Sequence, residues 1–367
     1  MGVADIEAES ITVPIIPNRP LMSADEAESF GRVALRRNSI TGLVDNAAFD
    51  PELIHYDADY QNNQAVSSQF AEHMRQVRDL LKRRYSAGSS LVEVGCGKGE
   101  FVELLQSDGH FEVRGYDGAY EGSNLNIEKR FLTADDRLDA DLVVLRHVLE
   151  HIQRPHAFLS LLSDVFSDAE IYIEVPDFSW IEKHQTFFDI TYEHVNYFTP
   201  RSLASLFKSV EQHGLLFGDQ YQFVIGKFGE ANFSAYGRAH DEPENWTPVT
   251  FDETFPSFSS VIEDILNESD GKQVYIWGAA TKGVMFCHHM KHMHPTAFNR
   301  IVAAIDINPK KAGRFMPSVH LPILNVEDFC GSASHDALVI IMNPNYRDEI
   351  VAELNARGFS DVQYISV

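Results

Sequence analysis

The stretch "LVEVGCGKGEF", residues 91–101, constrains the fold of this chain more than any other. Its first residues are typical of a buried strand, and a helix-like segment begins at about Phe101. Between them lie Gly95, Gly97 and Gly99, which let the backbone turn sharply and let a ligand approach where a Cβ atom would collide. The stretch therefore predicts a strand, a glycine loop and a helix at the start of a ligand-binding α/β sheet.

Strand-like and helix-like segments alternate after this point. The strand-like segments lie at 91–94, 113–116, 141–145 and 170–175, and an amphipathic helix from about Ser67 precedes them. Such alternation is typical of a parallel sheet covered by helices on both faces. We expect an antiparallel pair at about 218–224 and 232–236 to close this sheet.

A second strand, glycine loop and helix begin at 274–277, and strand-like segments follow at 301–305 and 337–342. The preceding residues, 238–257, are acidic and carry prolines, which is typical of a linker. We therefore predict an α/β protein with three parts. These are a small irregular N-terminal lobe at 1–66, a Rossmann-like domain at 67–240 and a second, smaller Rossmann-like domain at 241–367.

The chain carries 54 acidic and 30 basic residues, which gives a net charge of −24. A charge of this sign repels nucleic-acid backbones and anionic lipids, and no apolar run is long enough to span a membrane. The three cysteines, Cys96, Cys287 and Cys330, lie far apart, which argues against a disulfide framework and for a reducing compartment. We expect a cytoplasmic protein without nucleic-acid or membrane partners.

The glycine loop differs from a dinucleotide-binding loop in its spacing, which is G-x-G-x-G rather than G-x-G-x-x-G. An acid, Glu93, stands two residues before Gly95, and an acid at a strand end suits a cationic ligand. S-adenosyl-L-methionine (SAM) is such a ligand. Asp117 ends the next strand in "VRGYD", where a carboxylate can accept both hydroxyls of a ribose, although NAD enzymes use the same placement. We expect Glu93, Gly95, Gly97, Gly99 and Asp117 to bind this cofactor.

The segment "RHVLEHI", residues 146–152, has the H-x-x-E-H spacing of one class of zinc peptidases. That site needs a third ligand from a helical scaffold, whereas this segment follows a parallel strand, so no metal is predicted. His147 is open to two interpretations, a partly exposed helix start or a neighbour of the cofactor, and we place it with the cofactor residues. His151 is expected deeper in the cleft, where the chemistry takes place.

These residues together resemble the class I SAM-dependent methyltransferases, through "VEVGCGKG", "GYD" and "DLVVLRHVLEHI". Further on, "FDITYEHVNYFTPRSLASLF", residues 188–207, resembles the Glu-His-x-x-Tyr-Phe signature of the sugar C-methyltransferase family. That family methylates the carbon next to the keto group of nucleotide-linked deoxysugars. The resemblance covers most of the chain from about residue 42 onward.

The resemblance implies that Tyr60, His151, Glu193 and His194 align with active-site positions of the family. Glu193 and His194 would form a base, or a base and the group that orients it, and His151 and Tyr60 would hold an oxyanion. The sequence itself adds Tyr192 as another oxyanion donor. The alternative is that "TYEHVNYF" is a loop with its aromatic rings in the core, and for Tyr197 and Phe198 we expect that outcome.

The chain departs from the family at three places. Family members open with a four-cysteine zinc lobe, but residues 1–95 contain no cysteine, and Asn38 and Thr41 stand where a Cys-x-x-Cys-Gly pair is expected. The zinc site is therefore predicted to be lost. The stretch "FGEANFSAY", residues 228–236, replaces a His-Gly-Gly-Ser run, and Thr191 stands where the family has a tyrosine.

Two motifs near the C-terminus suggest ligands. "GAATKG", Gly278–Gly283, fails the P-loop pattern, and although Asp306 ends the next strand, we expect a structural domain that borders the acceptor pocket through Lys282. "CHHMKHMH", residues 287–294, has histidines at helical spacing but no partner ligands from a second element. We expect a solvated helix end there, without a functional metal.

The sequence thus predicts a SAM-dependent methyltransferase with a small-molecule methyl acceptor. The favoured reaction is C-methylation next to a ketone of a nucleotide-sugar-like intermediate in natural-product biosynthesis, by base-assisted enolate formation and in-line methyl transfer. Two alternatives stay open, an O- or N-methyltransferase for another natural-product intermediate and a non-catalytic nucleotide-binding accessory protein.

Overall fold

The structure is a computed structural model that describes residues 10–55, 59–61, 67–257, 260, 262–263, 265, 267, 269 and 271–367. Its strands are β1 Ile11–Pro14, β2 Phe30–Val33, β3 Leu35–Asn38, β4 Val44–Asn46, β5 Ser90–Val94, β6 Glu112–Tyr116, β7 Ile127–Glu128, β8 Leu142–Arg146, β9 Glu170–Pro176, β10 Asn196–Tyr197, β11 Gln212–Leu216, β12 Tyr221–Lys227, β13 Trp246–Pro248, β14 Val274–Trp277, β15 Ile301–Ile305, β16 Ile323–Leu324, β17 Leu338–Ile341 and β18 Gln363–Ser366.

Its α-helices are α1 Ser68–Arg84, α2 Glu100–Asp108, α3 Pro155–Phe166, α4 Phe178–His184, α5 Pro200–Ala204, α6 Phe233–Asp241, α7 Phe251–Thr254, α8 Thr281–Met293, α9 Pro295–Phe298, α10 Val326–Ser332 and α11 Arg347–Ala356. Short 3-10 turns lie at Pro51–Leu53, Leu149–His151, Phe187–Asp189, Phe228–Glu230, Pro243–Asn245 and Pro344–Tyr346. Each helix in the described part of the chain is too short or too polar to cross a membrane.

The larger sheet has the strand order β11-β12-β9-β8-β5-β6-β7 within the described residues. Strands β5 to β9 are parallel, and β12 and β11 close one edge as an antiparallel pair. Its central strands are buried along nearly their whole length, as expected for a sheet covered on both faces. The predicted α/β fold class is confirmed.

The chain leaves β5 toward β6 and later returns to β8 on the other side of β5. Ligands of open α/β sheets bind in the crevice beyond the carboxyl ends of the strands at such a reversal. The second sheet, β16-β15-β14-β17-β18, is parallel throughout and reverses in the same way at β14. Each sheet therefore offers one ligand crevice.

Side-chain hydrogen bonds join the two α/β units beside these crevices. Gln220 and Asn343 exchange two amide hydrogen bonds of 3.0 and 2.9 Å. The hydroxyl of Ser67, which caps α1, donates to Glu349 Oε2 over 2.8 Å. Lys282 Nζ lies 2.7 Å from Asp189 Oδ2. These contacts hold the carboxyl ends of the two sheets against each other.

Two sequence-based expectations about secondary structure are wrong. Residues 232–236 were expected to form a strand, but they lie in and just before helix α6, and the antiparallel pair is β11 with β12. The expected linker at 238–257 contains β13, which pairs with β3 of the N-terminal lobe. Segments distant in sequence thus complete the lobe, which a local pattern does not reveal.

Asn38 organises the turn where a zinc-binding cysteine pair was expected. It is 1% exposed, and its Oδ1 accepts hydrogen bonds from the backbone N–H groups of Ile40 (3.1 Å) and Thr41 (3.0 Å). Its Nδ2 donates to the carbonyl of Ala239 over 2.9 Å. Gly42 completes the turn with a φ of 79°. Hydrogen bonds to one amide therefore hold this turn in shape.

We expect Asn38→Ala to lower the free energy of unfolding by about 2 kcal/mol, because buried backbone donors and an acceptor lose their partner. Ser39→Ala is the matched control, since Ser39 is exposed in the same turn, and it should cost less than about 0.5 kcal/mol. Urea unfolding followed by circular dichroism measures both. Equal effects of the two substitutions would contradict the role of Asn38.

Candidate active site

The glycine loop after β5 adopts a backbone that other residues rarely adopt. Gly95, Gly97 and Gly99 have φ angles of 75°, 56° and 87°. A Cβ at Gly95 would lie 2.5 Å from a methyl group of Val148, whereas a Cβ at Gly97 would meet nothing within 4 Å. Gly95 is therefore required for packing, and Gly97 leaves the surface of the loop open for a ligand.

Glu93, at the end of β5, is a buried acid beneath this loop. It is 3% exposed, and its Oε2 has no hydrogen-bond partner among the described residues. Burial raises the pKa of its carboxyl group to about 7, against the opposing effect of Arg146. A buried carboxylate without a donor is unfavourable, and a cationic ligand next to it would relieve that cost. The site thus suits a positively charged cofactor.

Asp117 follows β6 and lies beside the same loop. Its Oδ2 accepts a hydrogen bond from Gly97 N (2.8 Å), and its Oδ1 accepts one from Ala119 N (2.7 Å). The carboxylate is partly exposed and keeps lone pairs for further donors. It can therefore accept ribose hydroxyls while the loop amide holds it in place.

His147 stands at the carboxyl end of β8 with an unusual φ of 53°. Its Nε2 lies 3.2 Å from Glu174 Oε1 and its Nδ1 lies 3.5 Å from Glu150 Oε1. Burial alone would lower the pKa of His147, but the nearby carboxylates of Glu150 and Glu174 outweigh burial and raise it to about 9. His147 therefore carries a positive charge at neutral pH.

Glu174, on β9, is the centre of a buried polar cluster that sequence analysis missed. It is fully buried and accepts hydrogen bonds from His73 Nε2 (2.7 Å), Tyr172 OH (2.6 Å) and the Arg146 guanidinium (3.3 Å). Burial would raise its pKa, but Arg146 and the two histidines hold that pKa well below its usual range. The available signal was a second acid, Glu174, that follows the run "IYI" in the strand "EIYIEVP".

His151 and His194 form a pair of imidazole rings with their centroids 4.9 Å apart. The Nδ1 of His151 contacts the carbonyl oxygen of Glu193 at 2.8 Å, so this nitrogen carries a proton and donates it. Burial, reinforced by His151, lowers the pKa of His194 to about 3. His194 is therefore a neutral imidazole at neutral pH, and in this environment it is a weak base.

Glu150 completes this group. Glu150, His151 and His194 each place one potential ligand atom within 4.8 Å of the others. His194, which comes from a distant loop, is the third member of this set, whereas His147 of the H-x-x-E-H motif belongs to a separate cluster with His73 and Glu174. Such a set could hold a metal ion, although the sequence predicts none.

A cavity of about 480 Å³ lies between the carboxyl ends of the two sheets. The predicted site residues on its wall are Tyr60, His147, His151, Glu193 and His194, and Glu150 joins them. Lys282 borders the same cavity from α8, the helix that follows β14 of the second sheet. The structure therefore brings together most of the residues that the sequence assigned to chemistry.

Tyr192 is a correction, because the structure does not bring it to this cavity. Its side chain is fully buried, its OH bonds to the backbone of Asp50 (2.8 Å to N and 3.2 Å to O), and its ring packs on Gly31. Tyr192 therefore anchors the N-terminal lobe and is withdrawn as an oxyanion donor. Tyr197 and Phe198 are buried in the core, as expected.

The structure also shows the surroundings of the two C-terminal motifs, "GAATKG" and "CHHMKHMH". Asp306 accepts from Ala279 N (3.0 Å) and lies 3.2 Å from Lys311 Nζ, so its carboxylate is already engaged. The expectation of a solvated helix end at 287–294 is wrong for His288, which is 3% exposed and contacts Ser318 Oγ at 2.6 Å and the Thr12 carbonyl at 2.8 Å. The reason is that this face of α8 packs against the N-terminal lobe.

Comparisons with known proteins cover both α/β units. Residues 68–211 match a family model described as a methyltransferase domain, and residues 251–366 match the C-methyltransferase C-terminal domain. The protein is 25% identical over 316 residues to the C-methyltransferase NovU of Streptomyces niveus, and the match spans 76% of this chain and 73% of NovU.

Two solved structures are similar to part of the chain. A SAM dependent methyltransferase from Archaeoglobus fulgidus is 22% identical, with 44% of this chain and 95% of that chain covered and a TM-score of 0.33. The magnesium protoporphyrin IX methyltransferase ChlM from Synechocystis PCC 6803, with bound SAM, is 14% identical, with 46% of this chain and 85% of that chain covered and a TM-score of 0.32.

Together with the glycine loop and its two acids, the two domain matches and the likeness to NovU lead to one conclusion. The chain is a class I SAM-dependent methyltransferase that resembles the C-methyltransferases.

Proposed function

We propose that this enzyme methylates a carbon atom next to the ketone of a small, nucleotide-sugar-like biosynthetic intermediate. The observation that carries the proposal is the imidazole of His194, which lies beside His151 and Glu193 on the wall of a cavity that both α/β units line. The likeness to NovU, a C-methyltransferase, supports carbon as the acceptor atom.

Carbon becomes nucleophilic only when the proton next to the ketone is removed. A base must accept this proton, and donors must stabilise the resulting enolate oxygen. His194 in its neutral form can act as the base, with Glu193 beside it in sequence as an alternative base or an orienting group. An oxygen or nitrogen acceptor would need less help, so this combination supports carbon chemistry.

The structure restricts which groups can donate to the enolate oxygen. Neutral His151 already donates its Nδ1–H to the Glu193 carbonyl, so its Nε2 can donate only when the ring is protonated. Tyr60 lies on the same cavity wall, and the resemblance to the sugar C-methyltransferases gives it the same role. Tyr60 and, when it carries a second proton, His151 are therefore our proposed oxyanion donors.

Of the proposed cofactor residues, His147 lies on the wall of this cavity. The others lie at or after the carboxyl ends of neighbouring strands of the same sheet, and they are Glu93, Gly95, Gly97, Gly99 and Asp117. SAM supplies an electrophilic methyl group on sulfur when it is bound. The chain's own task is to hold that group in line with the acceptor carbon and to exclude water.

The second sheet would receive the rest of the acceptor. Lys282 and Asn308 face the cavity there, and a volume of about 480 Å³ is within the usual range for small-molecule sites. Lys282, which also pairs with Asp189, and the amide of Asn308 are the groups that we propose to contact the anionic part of a nucleotide-linked substrate. The three cysteines are unpaired, which supports the proposed cytoplasmic location.

The decisive test is to incubate the enzyme and SAM with a panel of dTDP-, UDP- and GDP-linked keto sugars and to locate the methyl group by mass spectrometry and NMR. We expect a new carbon–carbon bond next to the ketone. In D2O the same position should exchange its proton for deuterium, because the base acts before methyl transfer. A methyl group on oxygen or nitrogen, without exchange at carbon, would contradict the proposal.

Glu93 makes SAM binding dependent on pH. A cation favours the ionised form of a carboxyl group whose pKa is about 7. SAM binding should therefore release a proton, and the dissociation constant of SAM should decrease as the pH rises from about 6 to about 8. We expect Glu93→Gln to flatten this dependence and to weaken binding about tenfold, or about 1.4 kcal/mol.

Calorimetry in buffers of different ionisation enthalpy measures both effects. Glu103→Gln is the control, since Glu103 is exposed in the first turn of α2 and any titration of SAM itself is common to all variants. If wild type and Glu93→Gln had the same pH dependence, Glu93 would have no part in binding the cation.

Substitution of the proposed base should separate chemistry from binding. We expect His194→Gln to reduce kcat by about 10² to 10⁴, the usual contribution of a general base, with little change in SAM affinity. Tyr192→Phe is the matched control, because it removes a polar group of the adjoining loop that lies outside the cavity. Equal kcat values for these two variants would reject His194 as the base.

A further inference from the structure

Glu150, His151 and His194 form a set of side chains on the cavity wall that the proposed function uses only in part. Each offers one nitrogen or oxygen atom, and these three atoms all lie within 4.8 Å of one another. Glu150 and His151 belong to the 3-10 turn Leu149–His151, whereas His194 lies in the loop before β10. Two elements that are distant in sequence thus bring the three side chains together beside the cavity.

Glu150 provides a second observation that points to a ligand. It is 2% exposed, and its Oε1 lies 3.5 Å from His147 Nδ1. Its Oε2 has no hydrogen-bond partner among the described residues. A buried carboxylate oxygen without a partner is unfavourable, and such an atom commonly marks the place of a water molecule or an ion. A cation bound to this oxygen would relieve the cost.

His151 is oriented in the way that is usual for a metal ligand. Its Nδ1 donates to the carbonyl oxygen of Glu193 over 2.8 Å, which fixes the ring and leaves the lone pair on Nε2. Histidines that bind metals almost always donate their other ring N–H to such an oxygen. The ring of His194 stands nearly perpendicular to that of His151, with an angle of 79° between their planes. The two imidazoles therefore approach each other edge to face.

The chemistry of the set selects one class of ion. Two imidazole nitrogens and one carboxylate oxygen are a typical ligand set for Zn²⁺, and they leave a fourth position for water or a substrate oxygen. Mg²⁺ and Ca²⁺ prefer oxygen ligands alone. Two cationic side chains of the same wall are already paired with acids, Lys282 with Asp189 at 2.7 Å and His147 with Glu174 at 3.2 Å. Their charges are thereby partly offset.

We propose that Glu150, His151 and His194 form a binding site for Zn²⁺ or a similar divalent transition-metal ion, and that the bound ion blocks proton removal by His194. The second half of this inference rests on the proposed function, in which His194 is the base. A neutral imidazole has a single lone pair, which cannot hold a metal ion and a substrate proton at once. Free metal should therefore inhibit turnover, and a chelator should restore it.

Calorimetric titration of the full chain with Zn²⁺, after removal of any affinity tag, tests the site itself. We expect one ion to bind to each wild-type chain. Glu150→Gln and His194→Gln should each weaken binding more than about tenfold, because even the hydrogen-bond partners of metal ligands contribute that much. His292→Gln is the control, since His292 is exposed on α8 beside other histidines that could bind metal adventitiously. It should leave the affinity unchanged.

Equal affinity in wild type, Glu150→Gln and His194→Gln would overturn the inference, because the metal would then bind elsewhere. Absence of binding to wild type would overturn it as well. The visible spectrum of the Co²⁺-loaded wild type needs no variant and so does not depend on whether the variants fold. We expect the intense absorption of four-coordinate Co²⁺. The weak absorption of the hydrated ion would contradict a site with three protein ligands.

Deuterium exchange next to the ketone of a keto-sugar nucleotide separates this inference from the proposed function. One equivalent of Zn²⁺ should suppress the exchange, and EDTA should restore it. Exchange that continues with the metal bound would overturn the blocking role. If wild type exchanged no deuterium and methylated oxygen or nitrogen instead, the proposed function would fail, while calorimetry and the Co²⁺ spectrum would still decide whether the metal site exists.

Discussion

The site depends on one fully buried carboxylate, that of Glu174. It binds a histidine from α1, an arginine and a histidine from the end of β8, and a tyrosine from its own strand. A buried charge is tolerated only when such partners surround it, and removal of any of them leaves the others uncompensated. Glu174 therefore fixes the end of β8 in the conformation from which the turn carrying Glu150 and His151 departs.

His147 connects this structural cluster to the cavity. It accepts a left-handed backbone conformation that is costly for a residue with a Cβ, and it contacts both Glu174 and Glu150. The strain is compatible with the fold because two carboxylates hold the ring. The charges of the site thus form a series from the core, through Glu174 and His147, to Glu150 and the imidazole pair at the cavity.

Local patterns in the sequence were sufficient to predict the parallel sheet and the glycine loop that follows β5. Glycines at 95, 97 and 99 and apolar strands of regular spacing are short-range signals, and the structure places them as expected. The position of His151 beside His194 was implied only by resemblance, because 42 residues separate them and their proximity depends on how β8 and the loop after β9 meet.

Other features could not be read from the sequence because they depend on distant partners. Tyr192 stands next to the proposed base in sequence, yet its side chain turns into the lobe because Gly31 leaves space for its ring. The amide of Asn38 replaces an expected pair of cysteine ligands with hydrogen bonds, a solution without a recognisable motif. Trp246 to Pro248 forms a strand only because β3 offers an edge.

The cavity is shared between two sheets that are encoded in separate stretches of chain. Residues that would hold the methyl donor precede position 200, whereas much of the opposite wall comes from residues after 270. If the proposed acceptor occupies this cavity, mutations in the later stretch would change which acceptor binds and leave the residues proposed for the donor unchanged. In a lineage of enzymes whose products diversify, the first stretch would be conserved, and substitutions would accumulate in the second.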